Sequence, residues 1–299
     1  MKKYLPALAV IFAAILWSFD GFLRQELFTL PAIVIVTFEH LIGAILLIPF
    51  LIRGASEIRN LNQRGWVSIF WISIAGGLMG TFFYTKALSY VNYIDLSIVV
   101  LLQKFQPLFA IALAAVILKE PITKRYLLLA VLALVGGYFV TFGLQPITNA
   151  DDKTLIAALL ALLAAFSWGS STVLGKHALK RLSFPVVTAM RLAVTAIIAI
   201  IVMTSLYPLM DIATITGRQW MFLVLIVFST GTVALFIYYY GLNHLPASHT
   251  TLYELFWPLS AVALDYFVRH RPLSAGQLIG GIILLTAIIL LTREQPAID

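Results

Sequence analysis

Ten apolar runs separated by short polar connectors leave this chain one environment in which to fold. About 20 apolar residues cross the hydrocarbon core of a bilayer as a helix. The runs near 5–23, 31–52, 65–88, 95–118, 126–144, 154–175, 185–209, 220–242, 247–268 and 275–292 are of that order. In lipid every backbone N–H and C=O must be paired within the protein, so such runs become helices. Composition agrees: 61% of the 299 residues are hydrophobic and 11% charged, against roughly 25% charged in soluble domains. The expected fold class is an all-α membrane protein with ten transmembrane helices. Met1-Lys2-Lys3 and the apolar stretch behind it resemble a secretory signal, yet the run is long for one, has no clear small-residue cleavage site and is followed by many more. It is read as the first span.

An even number of crossings puts both termini on one side, and short loops rich in Lys and Arg face the cytoplasm. With cytoplasmic termini, the inner segments hold Lys2, Lys3, Arg53, Arg59, Arg64, Lys119, Lys124, Arg125, Lys176, Lys180, Arg181 and Arg293, and the outer ones Arg24, Lys153, Arg218, Arg269 and Arg271. Twelve against five favours termini inside, in a cell inner membrane. The net charge of +7 is therefore spread through connectors, not gathered on the single face that nucleic acid requires. The expected partners are the lipid bilayer and a small-molecule substrate, with no nucleic acid, and the protein is a monomer or a homodimer. There is no cysteine and the five histidines form no ligand pattern, so no metal or cofactor is expected. No P-loop, dinucleotide fingerprint, nucleophile elbow or HExxH stands in a fitting context. ATP-driven transport by this chain alone, and enzymatic activity, are not expected.

The chain repeats itself. At an offset of 151 residues, Trp17-Ser18 matches Trp168-Gly169, Thr37-x-x-His40 matches Thr188-x-x-Arg191, Phe105-x-Pro107-Leu108 matches Phe256-x-Pro258-Leu259, and Glu120-Pro121 falls on Arg271-Pro272. At an offset of 154, Tyr84-x-x-Ala87-Leu88 matches Tyr238-x-x-Gly241-Leu242. Residues 1–150 and 151–299 are thus expected to be two homologous five-helix repeats. Five is odd, so the second copy lies inverted relative to the first, and inverted repeats place a substrate site near the bilayer midplane between the halves.

These residues carry a resemblance to the drug/metabolite transporter superfamily, in its ten-helix EamA-type branch. The matching features are Trp17-Ser18 and Trp168-Gly169-Ser170, the basic Arg191, the Tyr-x-x-(Ala/Gly)-Leu stretches, Pro107 and Pro258, and Lys119-Glu120-Pro121 after the fourth helix. The resemblance covers nearly the whole chain. It implies two inverted five-helix repeats around a central cavity and export of amino acids, aromatic ones included, or of other metabolites. The sequence departs from the family pattern at His40, where Arg is usual, at Gln106 and Trp257, where Glu is common, and at Arg271, which replaces the second loop Glu.

An ionisable side chain at the bilayer centre costs at least about 2.5–3.5 kcal/mol on insertion scales, so it pairs, faces a cavity or serves function. Glu254 stands one turn before Pro258, between Tyr253 and Trp257. Pro258 donates no hydrogen bond and clashes with the carbonyl of Glu254, so the helix is expected to be distorted there. Glu254 either binds a substrate ammonium, exchanges a proton, or partners a buried cation such as Lys104. Its repeat mate Gln103 and the adjacent Lys104 are the candidates on the fourth helix, Lys104 for pairing or for solute contact.

Glu39 and His40 point about 100° apart, so at most one is expected to face the cavity. Glu39 binds substrate or pairs with a cation. His40, whose unperturbed titration lies near neutral pH, is either a proton-coupling group or a neutral, hydrogen-bonded core histidine. Arg191, about two turns from the end of its helix, is expected to snorkel or to form a structural salt bridge. Asp20 with Arg24 and Asp265 with Arg269 are spaced i, i+4 and read as helix-end ion pairs.

Trp17, Trp168, Tyr84, Tyr253 and Trp257 lie deep enough to line a cavity, where rings suit an aromatic or cationic solute, or else they pack. Gly76-x-x-x-Gly80 and Gly276-x-x-x-Gly280 allow close helix approach and are read as contacts within the bundle. The function expected is secondary transport, most simply export, of amino acids or related zwitterionic or amine solutes by alternating access. Uptake or exchange of a nucleoside-like metabolite, a sugar or a quaternary amine is the second reading. An intramembrane lipid-modifying enzyme would cluster its ionisable groups at one surface; here they are scattered in depth.

Overall fold

The computed structural model describes residues 4–90, 102–103, 105–144, 152–208, 212–270 and 272–293, and those residues are helical with no strand among them. In chain order the helices are α1 (Leu5–Gln25), α2 (Ala32–Arg53), α3 (Gln63–Tyr90), α4 (Gln106–Leu118), α5 (Lys124–Phe142), α6 (Asp152–Ala178), α7 (Phe184–Leu206), α8 (Gly217–His244), α9 (Ala247–Tyr253 continuing as Phe256–Arg269) and α10 (Ala275–Arg293). Seven of them are long and apolar enough to cross a membrane; α4 and α10 are shorter apolar helices within the described residues, and α9 is divided. The outer faces are apolar: Leu128 and Val131 on α5, and Leu278 and Ile282 on α10, are more than half exposed. In water such faces would aggregate; in lipid they are the solvated surface.

The packing obeys a twofold exchange. Helix α1 lies mainly against α8 and α9, and α6 mainly against α3 and α4, while α2 crosses α7 and α5 runs along α10. Replacing each helix by the one five places along maps this set of contacts onto itself. With five helices per half, the two repeats are inverted.

Lipid tails are as apolar as leucine, so helices associate through close packing of small residues. A Cβ on Gly136 would lie 2.6 Å from the backbone N of Leu284, one on Gly276 2.8 Å from the carbonyl carbon of Gly143, and one on Gly280 2.6 Å from the backbone N of Val140. The α5–α10 pair therefore touches backbone to backbone. Gly76 and Gly80 perform the same service for α6, against Ser171 and Trp168. Both Gly-x-x-x-Gly motifs work inside the bundle.

Three helices are irregular where they reach the centre. Residues Ile72–Met79 of α3 are wound as a π-helix, and α8 is interrupted at Ser229–Gly231, where Gly231 N–H reaches back five residues to the Ile226 carbonyl at 2.6 Å. π-Turns inside α-helices often mark functional sites. Helix α9 breaks at Glu254–Leu255, as the proline rule anticipates: Pro258 offers no N–H, and the Glu254 carbonyl accepts instead from Trp257 at 3.0 Å. In the other half α4 begins at Gln106-Pro107. The predicted fourth span began at residue 95, and its first part lies outside the described residues.

The Glu-Pro segment after α4 has a structural task. Lys119, at φ +57°, turns the chain out of α4. Glu120 then accepts hydrogen bonds from the backbone N–H groups of Ala247 (2.7 Å) and Ser248 (3.0 Å) and from the Ser248 hydroxyl. It caps α9 from another repeat, satisfying orphan donors and placing negative charge at a helix N-terminus. Loss of a cap costs roughly 1 kcal/mol. Glu120→Ala is expected to lower stability by about that amount, read as an earlier thermal transition of the detergent-solubilised protein; an unchanged transition would show that the cap contributes nothing.

Candidate functional site

One cavity of about 170 Å³ lies between the halves and receives side chains from every helix except α5 and α10. Its most regular feature is a pair of ring pairs. Trp17 of α1 meets Tyr238 of α8 with centroids 5.3 Å apart and planes inclined at 52°. Trp168 of α6 meets Tyr84 of α3 at 5.4 Å and 55°. Trp17 and Trp168 are repeat mates, as are Tyr238 and Tyr84, so duplication has laid the same tilted ring contact on both sides of one cavity. The Trp168 indole N–H donates to the Gly76 carbonyl at 3.0 Å, inside the π-wound turn of α3.

At the start of α4 and the break in α9 the two halves join through side chains. Gln106 Nε2 donates to Glu254 Oε2 at 2.6 Å, and the Tyr238 hydroxyl donates to Glu254 Oε1 at 2.8 Å. The Tyr238 hydroxyl is also 2.8 Å from Thr172 Oγ1. Glu254 is thus half-buried in a network spanning α4, α6, α8 and α9. Its expected contact with Lys104 concerns a residue outside the described residues. Gln103 does line the cavity, but the amide that engages Glu254 is that of Gln106, which sequence reasoning noted only as a departure from family pattern. Applying to Pro107 the logic used for Pro258 would have drawn attention to it.

A second polar centre lies toward the opposite end of α1. Arg24 Nε bonds Asp20, its Nη2 bonds Glu39 Oε2 at 2.9 Å, and Nη1 reaches Thr85 Oγ1 at 3.4 Å. Asp20 also accepts from Thr230, in the interruption of α8, at 2.8 Å. The i, i+4 pair is present as expected, but it is buried, it lines the cavity, and it recruits Glu39. Of the two alternatives for Glu39, the structure displays the ion pair. The Asp265 and Arg269 side chains lie outside the described residues.

The expectation that only one of Glu39 and His40 faces the cavity needs correction, because both line it. A cavity enclosed by eight helices curves round α2 far enough to reach side chains about 100° apart. His40 Nδ1 lies 2.8 Å from the Val36 carbonyl. A carbonyl only accepts, so Nδ1 carries a proton there.

Arg191 is corrected too. It is buried among the cavity residues, neither snorkelled nor in a salt bridge among the described residues. Trp257 lines the cavity as expected. Tyr253 does not: it is fully buried in the main hydrophobic core, because the turn at Glu254 directs its neighbour into the packed interior.

Two stretches, residues 5–142 and 155–293, each match the family model described as "EamA-like transporter family". The chain belongs to the EamA-like transporter family. An EamA transporter moves small molecules across a membrane, and this one is a multi-pass membrane protein of that kind. It is similar to a protein of Fusobacterium nucleatum named "Riboflavin transporter ImpX", 38% identical over 292 residues, covering 96% of this chain and 97% of that one. It is also similar to "Uncharacterized transporter YoaV" of Bacillus subtilis, 22% identical over 95% of this chain and 96% of the other. "Protein PecM" of Dickeya dadantii is 26% identical, covering 78% of this chain and 76% of its own. A crystal structure with 19% identity superposes with a TM-score of 0.75, covering 96% of this chain and 97% of that chain, which places the fold among solved structures.

Proposed function

We propose that this EamA transporter carries riboflavin or a closely similar flavin: a planar aromatic ring system with a polyhydroxyl tail. The observation that carries the proposal is the coexistence, in one cavity, of two mated Trp–Tyr pairs with buried polar atoms that have no partner among the described residues. Those atoms are Gln103 Oε1, Ser171 Oγ, Arg191 Nε, Thr232 Oγ1 and Thr251 Oγ1. Rings stack on a planar heterocycle, and buried donors and acceptors without partners favour a solute rich in hydrogen-bonding groups. The 38% identical relative supplies the name of a solute with both properties.

Substrate contacts in this reading come from Trp17, Trp168, Tyr84, Trp257, Gln103, Gln106 and Glu254. Tyr253, buried in the core, is not among them, and Lys104 lies outside the described residues. Proton exchange, where flux is proton-driven, is assigned to Glu254, whose carboxylate ties the two halves together. The halves 1–150 and 151–299 rock against each other about the cavity, with both termini on the cytoplasmic side of the inner membrane, as the distribution of Lys and Arg favours. Both Gly-x-x-x-Gly motifs are used within one bundle, which favours the monomer as the transporting unit.

Amino acids form the second reading, since Glu254 and Arg191 offer the cavity opposite charges. Against it, three further charges are spent on one another in the Asp20–Arg24–Glu39 cluster. The test is flux in proteoliposomes, followed by flavin fluorescence in both directions, with and without a proton gradient. Saturable riboflavin flux is expected, inhibited by flavin analogues and not by tryptophan, nucleosides, sugars or quaternary amines. Tryptophan flux without riboflavin flux would decide for amino acids. Both directions are assayed because export and uptake use the same cavity.

A further inference from the structure

We infer that Arg191 is the specificity-determining anchor of the cavity, holding the electron-rich oxygen edge of the solute while the rings hold its plane. The inference deepens the flavin reading and rests on it for the choice of first probe. Two guanidinium groups line the cavity, and they differ in kind. Arg24 makes three hydrogen bonds, to Asp20, Glu39 and Thr85, two of them to carboxylates. Among the described residues Arg191, 7% exposed, has one hydrogen bond, from Nη1 to the Tyr239 hydroxyl at 3.1 Å, with the Tyr239 ring 5.8 Å away and its Nε buried without a partner.

A guanidinium has five N–H donors and no acceptor. Burying it without a carboxylate is costly unless something else supplies oxygen atoms. What stands beside it is another unsatisfied group: Ser171 Oγ and Arg191 Nη2 lie 2.0 and 2.9 Å from where a Cβ on Gly76 would sit. The absent side chain of Gly76, in the π-wound part of α3, leaves room for both. His40, the repeat mate of Arg191, faces the same cavity with Nδ1 spent on the Val36 carbonyl. The cavity is thus asymmetric at this level, with a donor fork on α7 and a single imidazole nitrogen, Nε2, in the matching position on α2. Such a fork suits paired carbonyl oxygens or an oxyanion. On a flavin the adjacent acceptors that match the fork are the C4 carbonyl oxygen and the neighbouring ring nitrogen N5, since the tail hydroxyls donate as readily as they accept.

The experiment is equilibrium binding to the full-length protein in detergent, with riboflavin, lumichrome (the ring without its tail), ribitol (the tail alone) and tryptophan as probes. The variants are Arg191→Gln, Arg191→Lys and Tyr239→Phe. Arg191→Gln is expected to weaken riboflavin and lumichrome by the same factor, tenfold or more, and to leave competition by ribitol unchanged. Arg191→Lys should fall between, because an ammonium keeps the charge but loses the fork. Tyr239→Phe frees the fork without removing it and should weaken both ring ligands by a few-fold, which keeps the inference testable if Arg191→Gln does not fold. Riboflavin binding that is indifferent to all three variants would overturn the inference and spare the flavin reading. Tryptophan bound in place of flavin, with the same dependence on Arg191, would overturn the flavin reading and support the anchor. Binding of none of the four probes by the folded wild-type protein overturns both.

Discussion

Glu254→Gln is expected to lower solute flux in proteoliposomes by about ten- to a hundredfold while the protein still inserts and folds. The carboxylate receives one hydrogen bond from Gln106 and one from Tyr238. Bonds to a charged group are worth about 1.5–3 kcal/mol each, and about 1.4 kcal/mol is a factor of ten. An amide in its place has nearly the same shape but no charge: its oxygen can accept from Gln106 and its N–H2 donate to the Tyr238 hydroxyl, which then donates to Thr172, so both charge-assisted bonds become weaker neutral ones. The coupling between α4 and α9, the two helices that carry the mated prolines, then weakens at the point where the halves touch. Exchanging the groups, Gln106→Glu with Glu254→Gln, restores one acid and one amide across the gap. It is expected to recover stability but not flux, because the negative charge has moved to the other half. Full flux from Glu254→Gln alone would remove Glu254 from the transport pathway.

How much of this was legible beforehand depends on the kind of signal each feature leaves. The proline rule located the break at Glu254, because a missing N–H acts locally on the same helix. The repeat offsets located Trp17, Trp168, Tyr84 and Tyr238, because duplication preserves residue type along the chain; the structure adds that mates form the same ring contact on opposite sides of one cavity. The two Gly-x-x-x-Gly motifs were readable because close approach needs small residues at fixed spacing.

Facing was not legible. In a soluble bundle the polar side of a helix reveals its orientation, but here lipid and core are equally apolar. Nothing in the spacing therefore distinguished Tyr253, buried in the core, from Trp257, in the cavity. Pairings between distant helices were hidden for a related reason. Gln106 meets Glu254 across 148 positions, and Glu39 reaches back to Arg24 across a turn. Arg191 was expected to snorkel from its distance to the helix end, yet depth along a helix says little where a polar cavity offers a nearer refuge than the membrane surface.

Arg24→Gln carries the largest expected effect on stability. The guanidinium holds two buried carboxylates, Asp20 on its own helix and Glu39 on α2, and through them Thr230 in the broken part of α8. Removing one member of a buried ion cluster leaves the others charged and unpaired, which costs about 3–5 kcal/mol. Two facing carboxylates add repulsion to that. Arg24→Gln is therefore expected to give little folded protein, read as monodisperse yield after solubilisation and as an early thermal transition. The triple variant Asp20→Asn, Arg24→Gln, Glu39→Gln removes all three charges and keeps groups that hydrogen-bond one another. Neutral replacement of a buried cluster is often neutral or stabilising, so the triple variant should fold nearly as well as the wild type. Its flux then separates two roles. Near-normal flux would make the cluster a strut that ties α1 and α2 to α8. Lost flux in a well-folded triple variant would make its charges part of the transport cycle, acting from the end of the cavity away from Glu254. Ready folding of Arg24→Gln alone would contradict the burial and pairing from which both outcomes follow.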